Sequence, residues 1–339
     1  MSSSKAKKIF RKVKKTLKFR RQISIQNYLG YANGNRFYVK GRVLQDPRIE
    51  ILEGQSRLKT FYNNFKRFES DEVEGAELLI QVQGQSFRVV SDKEGYFDLE
   101  GEVHQAFEAK DQTTWITYQI QLKDNSAQTE GQILLPAKNR DYGVISDVDD
   151  TVLQTFATSR LRLKMIYATF FLSPYKRLPM EGIQEVYQAF EKGASGQNAH
   201  PIFYVSNSPW NIYDSIYTFL KIKKFPKGPI FLRDYGAHML KKKKEADIHK
   251  LRTIRHIMEM YPGLPFLMLG DTASEDADFY LKFADEFPDR VKAIYIRNTK
   301  DTANARRIAK MIQSRSDVNI VMVKKSTEII EHAKSHGLI

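Results

Sequence analysis

Between Arg36 and Leu135 apolar and polar residues alternate in short runs, clearest in Phe37 to Val43, Glu77 to Val82, Phe87 to Val90, Thr114 to Leu122 and Gln132 to Leu135. A period of two places one side of each run in a core and the other in water, the pattern of half-buried β-strands. The string SDKEG at Ser91 to Gly95 reads as a turn between two of them. Leu58, Phe61, Phe65 and Phe68 are spaced as one helix packed on the sheet. An all-β, sandwich-like domain over residues 35–138 is the expectation.

Past Lys138 the texture changes. Compact apolar runs at Gly143 to Ser146, Pro201 to Ser206, Pro265 to Leu269, Val291 to Ile296 and Val318 to Val323 now alternate with helical stretches. That alternation predicts a parallel sheet flanked by helices, a Rossmann-like α/β domain over residues 139–339. In such sheets ligands bind beyond the carboxyl ends of the strands, so the polar residues that follow each run are the informative ones.

Charge adds a third segment. Of the 54 Lys and Arg side chains 13 fall in residues 1–45, which contain no acid, leaving 41 basic against 40 acidic in the remainder. The net charge of +14 is thus a property of one end, and no nucleic-acid partner is expected of the body. Within residues 1–34, Lys5 to Arg21 is Lys-rich and sets Ala6, Ile9, Phe10, Val13 and Leu17 at helical spacing. A basic amphipathic helix lying on an anionic membrane surface fits this pattern, each Lys or Arg near the headgroups contributing on the order of 1 kcal/mol. A solvated arm and an organelle presequence, the latter weakened by the excess of Lys over Arg, are the other readings. No apolar region follows the charges as a secretory signal requires. The longest mainly apolar run, Met165 to Leu172, is far shorter than the roughly 20 residues that span a bilayer. The expected location is cytoplasmic, with peripheral attachment to the inner membrane surface. With no cysteine, disulfides and thiolate metal sites are excluded, and any metal would take oxygen or imidazole ligands.

The strand GVIS runs into DVDDT, which sets Asp147, Asp149 and Asp150 side by side, followed by Thr151. Carboxylates crowded at a strand end repel one another and are tolerated beside a divalent cation, for which oxygen ligands favour Mg²⁺. Taken alone the string equally describes a solvated acidic turn. The next strand ends at Ser206 and continues as NSPW, offering a hydroxyl, Asn207 and free backbone amides to a phosphate. Lys250 lies in the helical stretch DIHKLRTIRHIM, and PFLML leads into GDTASED with Asp271 and Asp276.

In this order DVDDT, Ser206, Lys250 and GDTASED resemble the four motifs of the haloacid dehalogenase superfamily. The strings GVISDVDDTV, FYVSNSPWNIY, HKLRTIRHIMEMYPGLPFLMLGDTASEDADFY and AIYIRN are similar to the phosphatidate phosphatase catalytic-domain family of the actin-patch-associated type, strongly over Asp141 to Asn298 and more loosely in the GRVL and SDKEGYF strings before it. Where that family shows GDSGQHDPEIY, this chain has Glu275 for a His and Ala277 for a Pro, a departure on the substrate side of the motif. The resemblance implies an aspartyl-phosphate mechanism in which Asp147 is the nucleophile and Asp149 the general acid and base. It further implies Mg²⁺ on Asp147, Asp149 through its backbone carbonyl, Asp271 and Asp276, with Thr151, Ser206, Asn207 and Lys250 around the phosphate. The implied substrate is a lipid phosphomonoester, phosphatidate. The alternatives are a phosphohydrolase for soluble or polynucleotide phosphomonoesters and a non-catalytic scaffold.

Four further features carry bland readings. His332 and His336 stand a helical turn apart near the C-terminus without a carboxylate beside them and are expected in solvent. Lys241 to Lys244 reads either as an exposed loop or as a run steering anions to the site. Arg297 reads as structural. Leu161 to Leu172 reads as core, with the lining of an acyl-chain entrance as the alternative.

Overall fold

The computed structural model describes residues 23–45, 71–124, 127–149, 151–152, 178–197, 200–234, 243–298, 300 and 302–339. The expected amphipathic segment at 5–21, the helix expected around Leu58 to Phe68, the stretch Leu161 to Leu172, Asp150, and Lys241 and Lys242 of the Lys241 to Lys244 run lie outside these residues.

Nine strands form the first sheet: β1 (Ile23–Asn27), β2 (Gly30–Asn33), β3 (Arg36–Gln45), β4 (Asp71–Glu72), β5 (Glu77–Val82), β6 (Gln85–Val90), β7 (Tyr96–Glu102), β8 (Thr114–Leu122) and β9 (Gln128–Leu135). Their hydrogen-bonded order is β1-β3-β2-β9-β8-β5-β6, with β4 and β7 also paired to β3. Most pairs are antiparallel, and β2 with β9 is parallel. Alternation on β3 sends Phe37, Val39 and Val43 inward to join Ile80, Ile120 and Ile133. The sheet curls over this core, so that Phe37 meets Phe87 of β6 edge-on at 5.1 Å between ring centroids. The sandwich-like enclosure thus comes from one continuous sheet bent on itself.

The second sheet is built as expected of the α/β half. Its strands β10 (Gly143–Ser146), β11 (Ile202–Pro209), β12 (Ile230–Arg233), β13 (Phe266–Asp271), β14 (Val291–Arg297) and β15 (Ile320–Val323) lie in the order β12-β11-β10-β13-β14-β15, all parallel. Alternating residues face opposite layers. Val144, Tyr204 and Leu267 pack with helices α1 (Ile183–Lys192), α2 (Tyr213–Ile222) and α6 (Ser326–Ser335), while Ile145, Phe203 and Met268 pack with α3 (Lys243–Met260), α4 (Asp276–Glu286) and α5 (Ala303–Gln313). The chain starts in the middle at β10, steps outward to β12, then returns through α3 to β13 on the other side of β10. The crevice between β10 and β13 is therefore the switch point at which ligands of such sheets bind.

The two sheets are docked along α3 and the end of β11. Tyr31 and Leu134 belong to the core of the α3 layer, Tyr28 and Tyr96 to that of the α1 layer. The Tyr31 hydroxyl lies 2.5 Å from His256 Nδ1, Asn33 Nδ2 donates to the Met260 carbonyl at 3.0 Å, and Tyr28 stacks on Trp210 at 4.2 Å. Among the described residues no helix is long and apolar enough to cross a membrane.

Candidate active site

Asp147 directly follows β10, and its backbone N–H donates to Leu269 of β13 at 2.9 Å, which carries its side chain into the switch-point crevice. The turn behind it is held by a hydroxyl chain. Ser146 Oγ donates to the Asp147 carbonyl at 2.6 Å, and since that uses its one proton, the buried Tyr187 hydroxyl donates to Ser146. Lys250 reaches in from α3, fully buried, donating to Asp147 Oδ1 at 2.8 Å and to Asp276 Oδ1. Asp276 opens α4, and its other oxygen accepts from the Asp271 backbone N–H at 3.3 Å. Gly270 is required here, because a Cβ at that position would lie 2.5 Å from that of Asp276. Asp271, at the end of β13, accepts from the backbone N–H groups of Ala273 and Ser274 at 2.7 and 2.9 Å.

On the β11 side the hydroxyls of Ser206 and Ser208 both donate to Asp149 Oδ2, at 2.7 and 2.9 Å. The Ser208 backbone N–H donates to Ser206 Oγ at 2.9 Å, fixing that hydroxyl. Thr151 Oγ1 is buried and meets no hydrogen-bond partner among the described residues, as a hydroxyl reserved for a ligand oxygen would be. Asn207 follows Ser206 on β11 and is half-buried.

Charge in this crevice is out of balance. Burial pushes the Asp147 carboxyl well above its ordinary range; Lys250 pulls it down, and Asp276, Asp271 and Asp149 push it up again. Burial likewise raises Asp271, with Asp276 adding to it, to about 7. Lys250 loses by burial, but its two carboxylate partners more than offset that and hold it charged. One ammonium thus faces several crowded carboxylates, and the surplus is negative.

A dication would relieve that surplus. Among the described residues no three carboxylate or imidazole side chains are gathered into a ready-made metal cage. Mg²⁺ does not need one, since it keeps several waters and takes one or two protein carboxylates besides substrate oxygens. Asp147 and Asp271, both buried at the ends of adjacent strands and offering hard oxygens only, fit that ion with the Asp149 carbonyl. Asp276 spends both oxygens on protein donors and orients Lys250 and Asp271.

The crevice therefore gathers Asp147, Asp149, Ser206, Lys250, Asp271 and Asp276, and Thr151 is buried two residues after Asp149. Ser208 and Tyr187 went unread in the sequence. A second hydroxyl two positions after Ser206 was the available signal for Ser208, and none marks Tyr187. Arg297 is buried at the end of β14, donating to Ser326 Oγ at 2.5 Å, which fits its structural reading. His336 is exposed as expected, but His332 is half-buried, its Nδ1 3.1 Å from the Tyr295 hydroxyl. The two imidazoles stack with their centroids 4.0 Å apart, and His336 Nδ1 lies 2.9 Å from the His332 carbonyl.

The parallel sheet, with Asp147, Asp149, Ser206 and Lys250 gathered at its switch point, has the layout that the resemblance to the haloacid dehalogenase superfamily implies. Residues 142–298 match the family described as phosphatidate phosphatase APP1, catalytic domain. Phosphatidate phosphatase APP1 of Saccharomyces cerevisiae is 31% identical over 161 residues, 46% of this chain and 25% of the yeast protein. An uncharacterized protein of Schizosaccharomyces pombe is 24% identical over 220 residues, 62% of this chain and 34% of the other. The chain thus spans only a quarter to a third of the length of these relatives. A crystal structure of a haloacid dehalogenase-like hydrolase from Burkholderia xenovorans overlaps 59% of this chain and 100% of its own, with a TM-score of 0.37 and 13% identity.

Proposed function

We propose that the protein is a Mg²⁺-dependent phosphatase that hydrolyses a lipid phosphomonoester, phosphatidate, to diacylglycerol and phosphate. One observation carries the reading: Lys250 bridges Asp147 and Asp276 while two serines grip Asp149, all in the switch-point crevice.

Because Lys250 occupies Oδ1 of Asp147, Oδ2 is the oxygen that attacks phosphorus in line. The bond from Oδ2 to phosphorus forms as the bond from phosphorus to the glycerol oxygen breaks, and Asp149 gives that oxygen its proton. Water then attacks the aspartyl-phosphate, Asp149 takes the proton back, and the Asp147 carboxylate is released with orthophosphate. Ser206 turns from Asp149 to a phosphoryl oxygen when substrate binds, joined by Thr151 and Asn207, while Ser208 keeps Asp149 aimed. Mg²⁺, held by Asp147, Asp271 and the Asp149 carbonyl with Asp276 behind them, would supply charge neutralisation at the phosphoryl oxygens.

The lipid part of the reading draws on the yeast relative's name and on the basic segment 5–21, which would bring the enzyme to an anionic membrane surface. The test is a substrate panel with and without Mg²⁺. Phosphate release from dioctanoyl phosphatidate, abolished by chelation and exceeding that from sugar phosphates and nucleotides, is the expected result. Preference for a soluble or polynucleotide substrate would remove the lipid assignment, and no release from any of them, including an aryl phosphate, would leave a scaffold. Loss of liposome sedimentation on deleting residues 1–22 is expected of the recruiting segment, and unchanged sedimentation would refute it.

A further inference from the structure

Strand β11 loses its regular pairing where the two serines stand. Val205 is paired with Phe231 of β12 and Pro209 with Arg233, so Ser206, Asn207 and Ser208 are set against Leu232 alone. A bulge of this kind breaks the alternation of side chains and re-aims them, here toward Asp149, whose Oδ2 accepts from both serine hydroxyls. It also disrupts the ladder, so the course of the segment depends on how its two ends are fixed. The upstream end is secure, because Tyr204 is paired on both sides, with Ser146 of β10 and Ile230 of β12.

The downstream end is held by the other sheet. Trp210 follows Ser208 by two positions and opens a 3₁₀ turn, Trp210–Ile212, that leads into α2. Its buried ring stacks on that of Tyr28, with 4.2 Å between centroids and 24° between planes. Tyr28 stands at the corner between β1 and β2, equally buried, and its ring also meets Tyr213 at 4.5 Å. On either side of it the Leu29 N–H donates to the Tyr213 hydroxyl at 3.2 Å and Gln26 Nε2 to Asp214 Oδ1 at 3.0 Å. The corner is tied to its own sheet by the Tyr28 N–H, which donates to the Lys40 carbonyl at 2.9 Å. Residues 26–29 of the β domain thus close on residues 210–214, next to the bulge.

We propose that Tyr28 is a positioning residue for the reaction: by stacking on Trp210 it fixes the far end of the serine bulge, so that Ser208 keeps Asp149 aimed at the leaving oxygen. The inference rests on the phosphatase reading of the crevice. It gives the β domain a part in the chemistry, as the buttress of an irregular stretch that the parallel sheet does not hold by itself.

The leaving group supplies the test. An alkoxide needs a proton to depart, whereas 4-nitrophenolate leaves as the anion, so a poorly aimed Asp149 slows the first far more than the second. Because kcat/KM covers the steps up to departure, its ratio for dioctanoyl phosphatidate over 4-nitrophenyl phosphate, measured on the full-length protein with Mg²⁺, reads that proton transfer. In Tyr28→Leu the phosphatidate value is expected to fall about tenfold and the nitrophenyl value less than about twofold, the loss being that of one stacked pair. Tyr28→Phe keeps the ring and should keep the wild-type ratio. Trp115→Leu is the control, since Trp115 packs at the same domain boundary under Lys227, at 3.9 Å, before β12 and so away from the strand ends that carry the crevice; it should lower the melting temperature without moving the ratio. Should Tyr28→Leu not fold, Trp210→Phe trims the stack from the other side and is expected to show the same asymmetry at about threefold. An equal fall with both substrates, or a wild-type ratio beside a lowered melting temperature, would overturn the proposal and leave Tyr28 as glue between domains, as would the same asymmetry in Trp115→Leu. If the wild type prefers a soluble alkyl phosphate, that compound takes the place of phosphatidate. Activity on the aryl phosphate alone would show that there is no acid to aim and overturn the proposal while the phosphatase reading stands, and activity on neither would overturn both.

Discussion

The core of the curled sheet, around Phe37, Ile80 and Ile120, is built from apolar side chains, the buried hydroxyl of Tyr118 being an exception. The parallel sheet has an apolar core of the same kind on both faces, yet at one edge it buries Asp147, Lys250, Asp271 and Asp276. Burying charge is expensive unless it is paired, and here the pairing is incomplete. One sheet is built to be stable, the other gives up some stability at a single edge to hold reactive groups. The polar side chains of the first sheet appear instead on its outer face, where Tyr38, Arg42 and Glu100 meet the second.

Substitutions can break this contrast. Asp147→Asn should lower kcat by roughly a thousandfold or more while the protein still melts cooperatively; steady-state kinetics beside calorimetry checks both. Phe37→Ala, in the apolar core, should do the reverse, costing about 3–5 kcal/mol of stability in a denaturant titration with activity per folded molecule preserved. Gly270→Ala drives a methyl group into Asp276 and should cost about tenfold to a hundredfold in kcat/KM by loosening Lys250, with the substrate panel as readout. The smallest effect concerns docking. Burial, a hydrogen bond that protonated Glu94 donates to Asp234, and that residue's charge raise the Glu94 carboxyl to about 7. The folded protein therefore holds a proton that the unfolded chain releases near its ordinary value, so this contribution is complete at acidic pH and fades as pH rises through about 7. Glu94→Gln should flatten that part of the slope in melting temperature between pH 5.5 and 8, and an unchanged slope would separate Glu94 from the effect.

The sequence announces apolar strands well and charged ones poorly. Thr114–Leu122 and Gly143–Ser146 were legible because their neighbours are turns and their apolar residues recur without interruption. Strand β7, YFDLEGE, was missed because Asp98, Glu100 and Glu102 alternate with only Phe97, Leu99 and Gly101, and Gly101 presents no side chain to count. Tertiary context supplies the reason for its strand: Phe37 fills the space a Cβ at Gly101 would occupy. Short β12 was hidden in the same way by its length. In the crevice Asp147, Asp149 and Asp271 near strand ends, Lys250 on α3 and Asp276 at the start of α4 were legible because their order follows that of the motifs they resemble. Tyr187 was not, since a tyrosine on the apolar face of a helix looks like core until its hydroxyl is seen to reach Ser146.

The position of β10 in the middle of its sheet also governs when the molecule can become active. Lys250 follows Asp147 by 103 residues, and Asp276 comes 26 later still. On the ribosome Asp147 accordingly emerges before both side chains that gather around it, and the crevice is complete only once the stretch beyond β13 has folded back beside β10.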